Sequence, residues 1–177
     1  MYNAHNGMGL WNTTSIRIIN TTAMYNVHSG MALWNTTRVS IINTTTMHNE
    51  YNEMVLEIIT NASIINLAAV HNGYAGIVLS KSNRISMIGT TVMHNSYSGI
   101  QLHYTVNTII AKSSLMHNGW KTEVTRLSGD FFSAADSTSL PGVIVLYYFS
   151  LHVSGCILTR NDISAIKAYA SNITALH

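Results

Sequence analysis

Apolar and polar positions alternate along this chain in short runs, and the runs return every 23 residues without a gap from Met1 to Asn118. Units beginning at Met1, Met24, Met47, Val70, Met93 and Met116 stack residue on residue, and the first two are near copies. Inside a unit, Gly7-Met8-Gly9-Leu10 recurs as Gly30-Met31-Ala32-Leu33, Gly76-Ile77-Val78-Leu79 and Gly99-Ile100-Gln101-Leu102. A period of two is a strand, with Met or Ile and Leu turned inward. A second run, Ser15-Ile16-Arg17-Ile18, recurs as Arg38-Val39-Ser40-Ile41 and Arg84-Ile85-Ser86-Met87, and a third centres on Met24, Met47, Val70, Met93 and Met116. Three short strands per unit, separated by Asn, Gly, Ser and Thr, describe one coil of an all-β parallel β-helix solenoid that rises about 4.8 Å per coil. Leucine-rich repeats have a similar length, but their L-x-x-L-x-L-x-x-N spacing cannot be placed here.

Stacking turns each position into a column along the axis. Asn3, Asn26, Asn49, Asn72, Asn95 and Asn118 share one column, where their amides can bond to one another and to the turn backbone as a structural ladder. Gly7, Gly30, Gly76 and Gly99 share another, interrupted by Glu53, so the third coil is expected to turn differently. His48, His71, His94 and His117 follow one another beside Met or Val positions taken as core, and are expected to stand outward. Two further columns are aromatic: His5, His28, Tyr51, Tyr74, Tyr97 and Trp120, and Trp11 with Trp34 ahead of Glu57, Ser80 and His103.

Past Asn118 the places of Gly76, Ile85, Asn95 and Gly99 recur at Gly142, Leu151, Asn161 and Ala165, 66 residues on and three short of three whole units. This divides one solenoid domain into regular coils over 1–118, an irregular coil or loop over 119–141 and resumed coils over 142–177. The irregular stretch holds Glu123, Asp130 and Asp136, with Lys121, Arg126, the Phe131-Phe132 pair and the only proline. Departures from a repeat are where solenoids usually carry specificity.

The units Gly76-Ile-Val-Leu-Ser-Lys-Ser-Asn-Arg-Ile and Gly99-Ile-Gln-Leu, each preceded by His-Asn, resemble the N-x-x-x-G-I-x-L-x-x-S-x-N-x-x-I pattern of right-handed parallel β-helix repeats. That is the pectin-lyase-like superfamily, including NosD-like repeats. The resemblance implies the right-handed fold and says little of activity, because the pattern encodes turns and core. It also implies a place in a longer extracellular chain, since many such repeats occur there.

With 9% charged residues and a net charge of +2, composition offers no basic patch for nucleic acid. The longest apolar stretch, from Gly142 to Phe149, is shorter than the roughly 20 residues a membrane span needs. Cys156 stands alone, which excludes an internal disulfide and a thiolate zinc site, and reads as a small core residue. Glycosylation acceptor triplets begin at Asn12, Asn20, Asn35, Asn43, Asn61 and Asn172, favouring an extracellular or cell-surface location, although turn composition alone would generate them. No secretory leader is visible, and the chain reads as an uncapped fragment whose flanking coils belong to the same protein.

Candidate chemistry is sparse. Carbohydrate-active β-helices need clustered carboxylates, and the first two coils hold none, while Glu50, Glu53 and Glu57 fall in one unit, where Glu53 and Glu57 could approach each other but read as solvated surface. The histidine column could share copper or zinc between neighbouring imidazoles, but a straight column suits tetrahedral coordination poorly. Trp11, Trp34 and Trp120 are candidates for stacking on sugars, with packing between coils as the plainer role. The expectation is a non-catalytic scaffold segment with a structural, glycan-binding or protein-binding role and no cofactor. The alternatives are a polysaccharide lyase or glycosidase-like enzyme fragment, and a copper- or zinc-binding β-helix.

Overall fold

The computed structural model describes residues 3–119, 143–146, 150–159, 166–169 and 172–176. First strands of successive coils are β1 (Met8–Trp11), β4 (Met31–Thr36), the start of β6 (Met54–Val70), β7 (Ile77–Ser80) and β10 (Ile100–His103), followed by β13 (Val143–Leu146) and β16 (Ile166–Tyr169). They pair in parallel, Met8 on Met31, Met31 on Met54, Met54 on Ile77 and Ile77 on Ile100. Second and third segments are β2 (Ile16–Ile19) and β3 (Thr22–Met24), β5 (Val39–Met47), β8 (Asn83–Ile88) and β9 (Thr91–Met93), β11 (Val106–Ala111) and β12 (Ser114–Met116), β14 (Ser150–Ser154) and β15 (Ile157–Thr159), and β17 (Asn172–Leu176). These also pair in parallel, and β5 runs through both segments without a break. A second and a third sheet thus merge around one bend.

Each coil turns at three corners where the backbone enters the left-handed region, and a further column, Asn61, Arg84 and Asn107, enters it where the second strands begin. The first corner is Asn12, Asn35, Ile58, Lys81 and Tyr104; the second is Asn20, Asn43, Asn66, Gly89, Lys112 and Gly155; the third is Tyr25, His48, His71, His94 and His117. Their φ values lie between 48° and 65°. Asn and His tolerate this region better than most residues. At the first two corners the next side chain reaches back over the bend: Thr36 donates to the Trp34 carbonyl at 3.2 Å, Thr44 to Ile42 at 3.2 Å, Ser82 to Ser80 at 2.8 Å and Ser113 to Ala111 at 2.9 Å. Cys156 occupies the same place, its thiol 3.3 Å from the Ser154 carbonyl, so it is a half-buried corner residue that only abuts the core.

Alternation along the strands fills the interior. Met31, Leu33, Met54, Leu56, Ile77, Leu79, Ile100 and Leu102 are wholly buried from the first sheet, with Ile41, Ile64, Ile85 and Met87 opposite and Met8 and Leu10 partly covered at the end. The third segment has the opposite parity from that expected. Ala23, Thr46, Ala69, Val92 and Leu115 point inward, whereas Met24, Met47, Val70, Met93 and Met116 are half-buried on the outside.

The resumed register differs from a run of three near-complete coils. Val143 pairs directly with Ile100, 43 residues before it, Leu151 with Thr108, and Leu158 with Leu115. The spacing of 66 from Ile77 to Val143 is therefore one coil of the usual length and one of 43 residues, lengthened by 20. The stretch from Trp120 to Pro141, with its acids and phenylalanines, lies outside the described residues.

The asparagine column is the ladder expected. From Asn49 on, each Oδ1 accepts from both the backbone N–H and the Nδ2 of the asparagine one coil earlier: Asn49 from Asn26 at 3.1 and 2.7 Å, Asn95 from Asn72 at 3.2 and 2.8 Å, Asn118 from Asn95 at 3.1 and 2.9 Å. Asn26, Asn49, Asn72, Asn95 and Asn118 are buried. Replacing Asn95 with Ala strands two buried donors of Asn72 and is expected to lower stability by about 3 kcal/mol, at about 1–3 kcal/mol per orphaned group. Asn3→Ala, at an exposed rung, is expected to cost under about 1 kcal/mol. Urea unfolding of both variants checks the contrast.

Candidate functional site

Outward positions of the first sheet form two columns: Gly9, Ala32, Val55, Val78 and Gln101, then Trp11, Trp34, Glu57, Ser80 and His103. The small residues at Gly9 and Ala32 go with the tryptophans two positions on. A Cβ on Gly9 would lie 2.5 Å from the Trp11 ring, so that indole is folded over the strand where glycine leaves space. Trp11 and Trp34 stack with centroids 5.1 Å apart and planes 3° from parallel. Stacked along the axis, they spend faces on each other and turn edges to solvent. Trp34 Nε1 donates to Glu57 Oε2 at 3.1 Å, and Lys81 Nζ lies 3.6 Å from Glu57 Oε1.

Further along the same face, polar groups are withdrawn from solvent. Ser80, Gln101 and His103 are buried, and burial lowers the His103 pKa, leaving it neutral at pH 7. Gln101 Nε2 donates to Ser98 Oγ at 2.9 Å, while Gln101 Oε1 and Ser80 Oγ have no hydrogen-bond partner. Tyr74 and Tyr97 stack beside them at 4.4 Å, and burial, reinforced by Tyr97, raises the Tyr74 pKa. Column and parity could have placed Ser80, Gln101 and His103 together from the sequence. Their burial could not be read there.

The other aromatic columns are also ladders. His5 stacks on His28 at 5.8 Å, and the series continues through Tyr51 to Tyr74. Tyr25 stacks on His48, His48 on His71 and His71 on His94 at 5.3, 5.3 and 4.7 Å, with His117 tilted by 54° against His94. His48 and His71 are exposed, as expected for an outward column. Near-parallel planes bring ring faces together, and no three His, Cys, Asp or Glu side chains converge on a metal position among the described residues. Desolvation, then His94 and His48, lowers the His71 pKa. Trp120 lies outside the described residues.

Asn12, Asn20, Asn35, Asn43 and Asn61 all have positive φ and exposed side chains. Asn35 donates to Asn12 at 2.8 Å and Asn66 to Asn43 at 3.1 Å. At Asn12, Asn20, Asn35 and Asn43, corner geometry accounts for the Asn-Thr pair that begins each acceptor triplet. Asn172 lies in β17, where only the backbone is described.

Glu53 corrects two expectations. It is wholly buried, and the third coil turns as the others do, with Met31 N–H donating to the Glu53 carbonyl at 2.9 Å and Met54 N–H to Gly76 at 3.1 Å. Its column points inward. A Cβ on Gly30 would meet Asn49 Nδ2 at 2.9 Å, and the Glu53 carboxylate accepts from that same Asn49 Nδ2 at 3.1 Å. Burial pushes the Glu53 pKa well above the ordinary carboxylate range, against the smaller pull of Thr46 and Asn49. Among the described residues, then, the acids Glu50, Glu53 and Glu57 do not form a pair flanking a common point: Glu53 is interior and Glu57 is tied to Trp34 and Lys81.

The right-handed β-helix region family model matches residues 6–176. The fold is similar to that of the Azotobacter vinelandii mannuronan C-5 epimerase AlgE4 A-module, with a TM-score of 0.68 and 14% identity over 99% of this chain and 52% of that one. A mutant of the periplasmic alginate epimerase AlgG is similar at 0.67 and 14%, over 96% of this chain and 48% of that one. The AlgE6 A-module, also from Azotobacter vinelandii, is similar at 0.60 and 16%, over 99% and 55%. This chain thus spans about half the length of those structures. No curated protein sequence matches significantly.

Glu53 and His71 set opposite limbs of the stability profile. A raised carboxyl pKa gives stability that is complete below the unfolded value of 4.5 and lost as pH rises through the folded value. A lowered imidazole pKa gives stability present above 6.5 and lost as pH falls through the folded value. Thermal melts from about pH 4 to 9 should show Glu53→Gln flattening only the alkaline limb and His71→Ala weakening only the acid limb.

Proposed function

Because the chain belongs to the right-handed β-helix family, we propose that it is a non-catalytic scaffold segment of an extracellular or periplasmic protein, holding an outer face to glycans. The observation that carries this reading is how the functional-looking residues are used. The asparagines, the histidines and most rings bond or stack from coil to coil, so the residue types that suggest chemistry in the sequence are occupied in holding the solenoid together. What remains polar and open to solvent on this face is the Glu57–Lys81 pair, at the edge of the buried Ser80, Gln101 and His103 and suited to hydrogen-bonding hydroxyls. Fold likeness to alginate epimerases adds polysaccharide as the ligand class and an exported location, by analogy.

A second reading, a carbohydrate-active enzyme fragment, is favoured by the same patch, where a neutral His103 shares an outward column with Ser80 and Glu57. The two readings separate on turnover. Affinity electrophoresis in alginate, polygalacturonate and a neutral glucan is expected to show retardation, while proton NMR of incubated alginate stays unchanged. Epimerised or cleaved uronate would establish the enzyme, and free migration in every polysaccharide would remove the glycan role.

A further inference from the structure

Few charges decorate this chain, and coiling gathers the cations. Arg17 points outward from β2 and pairs across to Ser40, while the Arg38 carbonyl accepts from Ile16 N–H at 2.8 Å, placing Arg38 at the start of the same segment one coil on. Asn61 and Arg84 continue the Arg38 column, because Val39 pairs with Ala62 and Ala62 with Ile85. Arg38 and Arg84 therefore stand two coils apart, about 10 Å. All three arginines are exposed. No carboxylate among the described residues is within ion-pairing distance of them, since Glu57 is held by Lys81, Glu53 is interior and Glu50 belongs to the third corner. The backbone at Arg84 is in the left-handed region at φ 58°, near the start of β8.

From this juxtaposition we infer that Arg17, Arg38 and Arg84 form a strip along the solenoid axis that binds an acidic polysaccharide, a polymer of carboxylate-bearing sugars. The inference rests on the glycan-binding reading above and places the contact on a second surface, the edge where the second strands begin. Guanidinium groups match carboxylates in a planar fork. Between and beside them lie neutral hydrogen-bonding groups, Asn61, Ser40, Ser63, and the Asn107–Asn83 amide pair at 2.9 Å, which suit the hydroxyls between successive carboxylates. A parallel stack of coils holds the arginine spacing rigidly, so a polymer with repeating charges can engage several at once. Each exposed ion pair contributes little alone, and several on one chain multiply. Nucleic acid fits less well, because no exposed ring stands among the three arginines on which a base could stack.

The test is affinity electrophoresis in polygalacturonate, in an uncharged glucan and in single-stranded DNA, with the salt raised from about 0.05 to 0.5 M. Binding to polygalacturonate is expected to weaken steeply with salt, and to fall about tenfold or more when Arg17→Ala, Arg38→Ala and Arg84→Ala are combined. Lys112→Ala, at the second corner, is the control and should change little. Circular dichroism and the melting temperature verify that the triple variant is folded, and Gln replacements at the three sites serve if the alanines unfold it. Unchanged polygalacturonate binding by the folded triple variant overturns the strip, as does equal binding of DNA. Salt-independent binding of the neutral glucan with none to polygalacturonate also overturns it while leaving the glycan-binding scaffold standing; no binding to any polysaccharide overturns both.

Discussion

Everything in this molecule depends on one constraint, that a residue must meet its counterpart one coil away. Parallel pairing of short strands enforces the constraint on the backbone, and the buried asparagine ladder enforces it on side chains. Because the Oδ1 of each rung from Asn49 to Asn118 serves both a backbone donor and an amide donor of the previous rung, a shift of register would leave several buried polar groups unpaired at once. Three left-handed corners per coil then follow. A coil of about 23 residues closes on itself only by sharp bends, and Asn, His, Gly and a few long side chains occupy them.

Most of this was legible in the sequence because a column is a statistical object. Six asparagines at one interval point to a ladder, and four histidines at one interval point to an outward stack, before any coordinate is known. Legibility failed where a column was read by composition instead of by direction. By its charge Glu53 reads as surface, yet it replaces a glycine whose column faces inward, and direction wins. By their apolar character the third-segment methionines read as core, yet strand parity turns them outward and puts Ala23, Thr46 and Ala69 inside. Spacing failed once, between Ile77 and Val143, because a distance along the chain does not say how many coils it contains; only the pairing of Ile100 with Val143 does.

The outer surface was less legible than the core. Whether Ser80, Gln101 and His103 are open or withdrawn depends on what surrounds the first sheet, and no local pattern encodes that. The tryptophans illustrate the same limit. Stacked along the axis, Trp11 and Trp34 give their faces to each other, so exposure of an aromatic residue by itself does not make a platform. The arginines show the reverse case, since three cations scattered over 68 residues, from Arg17 to Arg84, come to one edge only because the coils superpose them.

The coil of 43 residues has a consequence for how such a chain changes over generations. Strands on either side of the added residues pair as if nothing intervened, so the added length leaves their register unchanged. Whole coils behave alike: the near identity of the first two units is what a duplication would leave, and a duplicated coil meets the same neighbours as its parent. Length in this architecture can therefore drift in two independent ways, by whole layers along the axis and by residues added between two paired strands, while the register that selection must preserve stays the same.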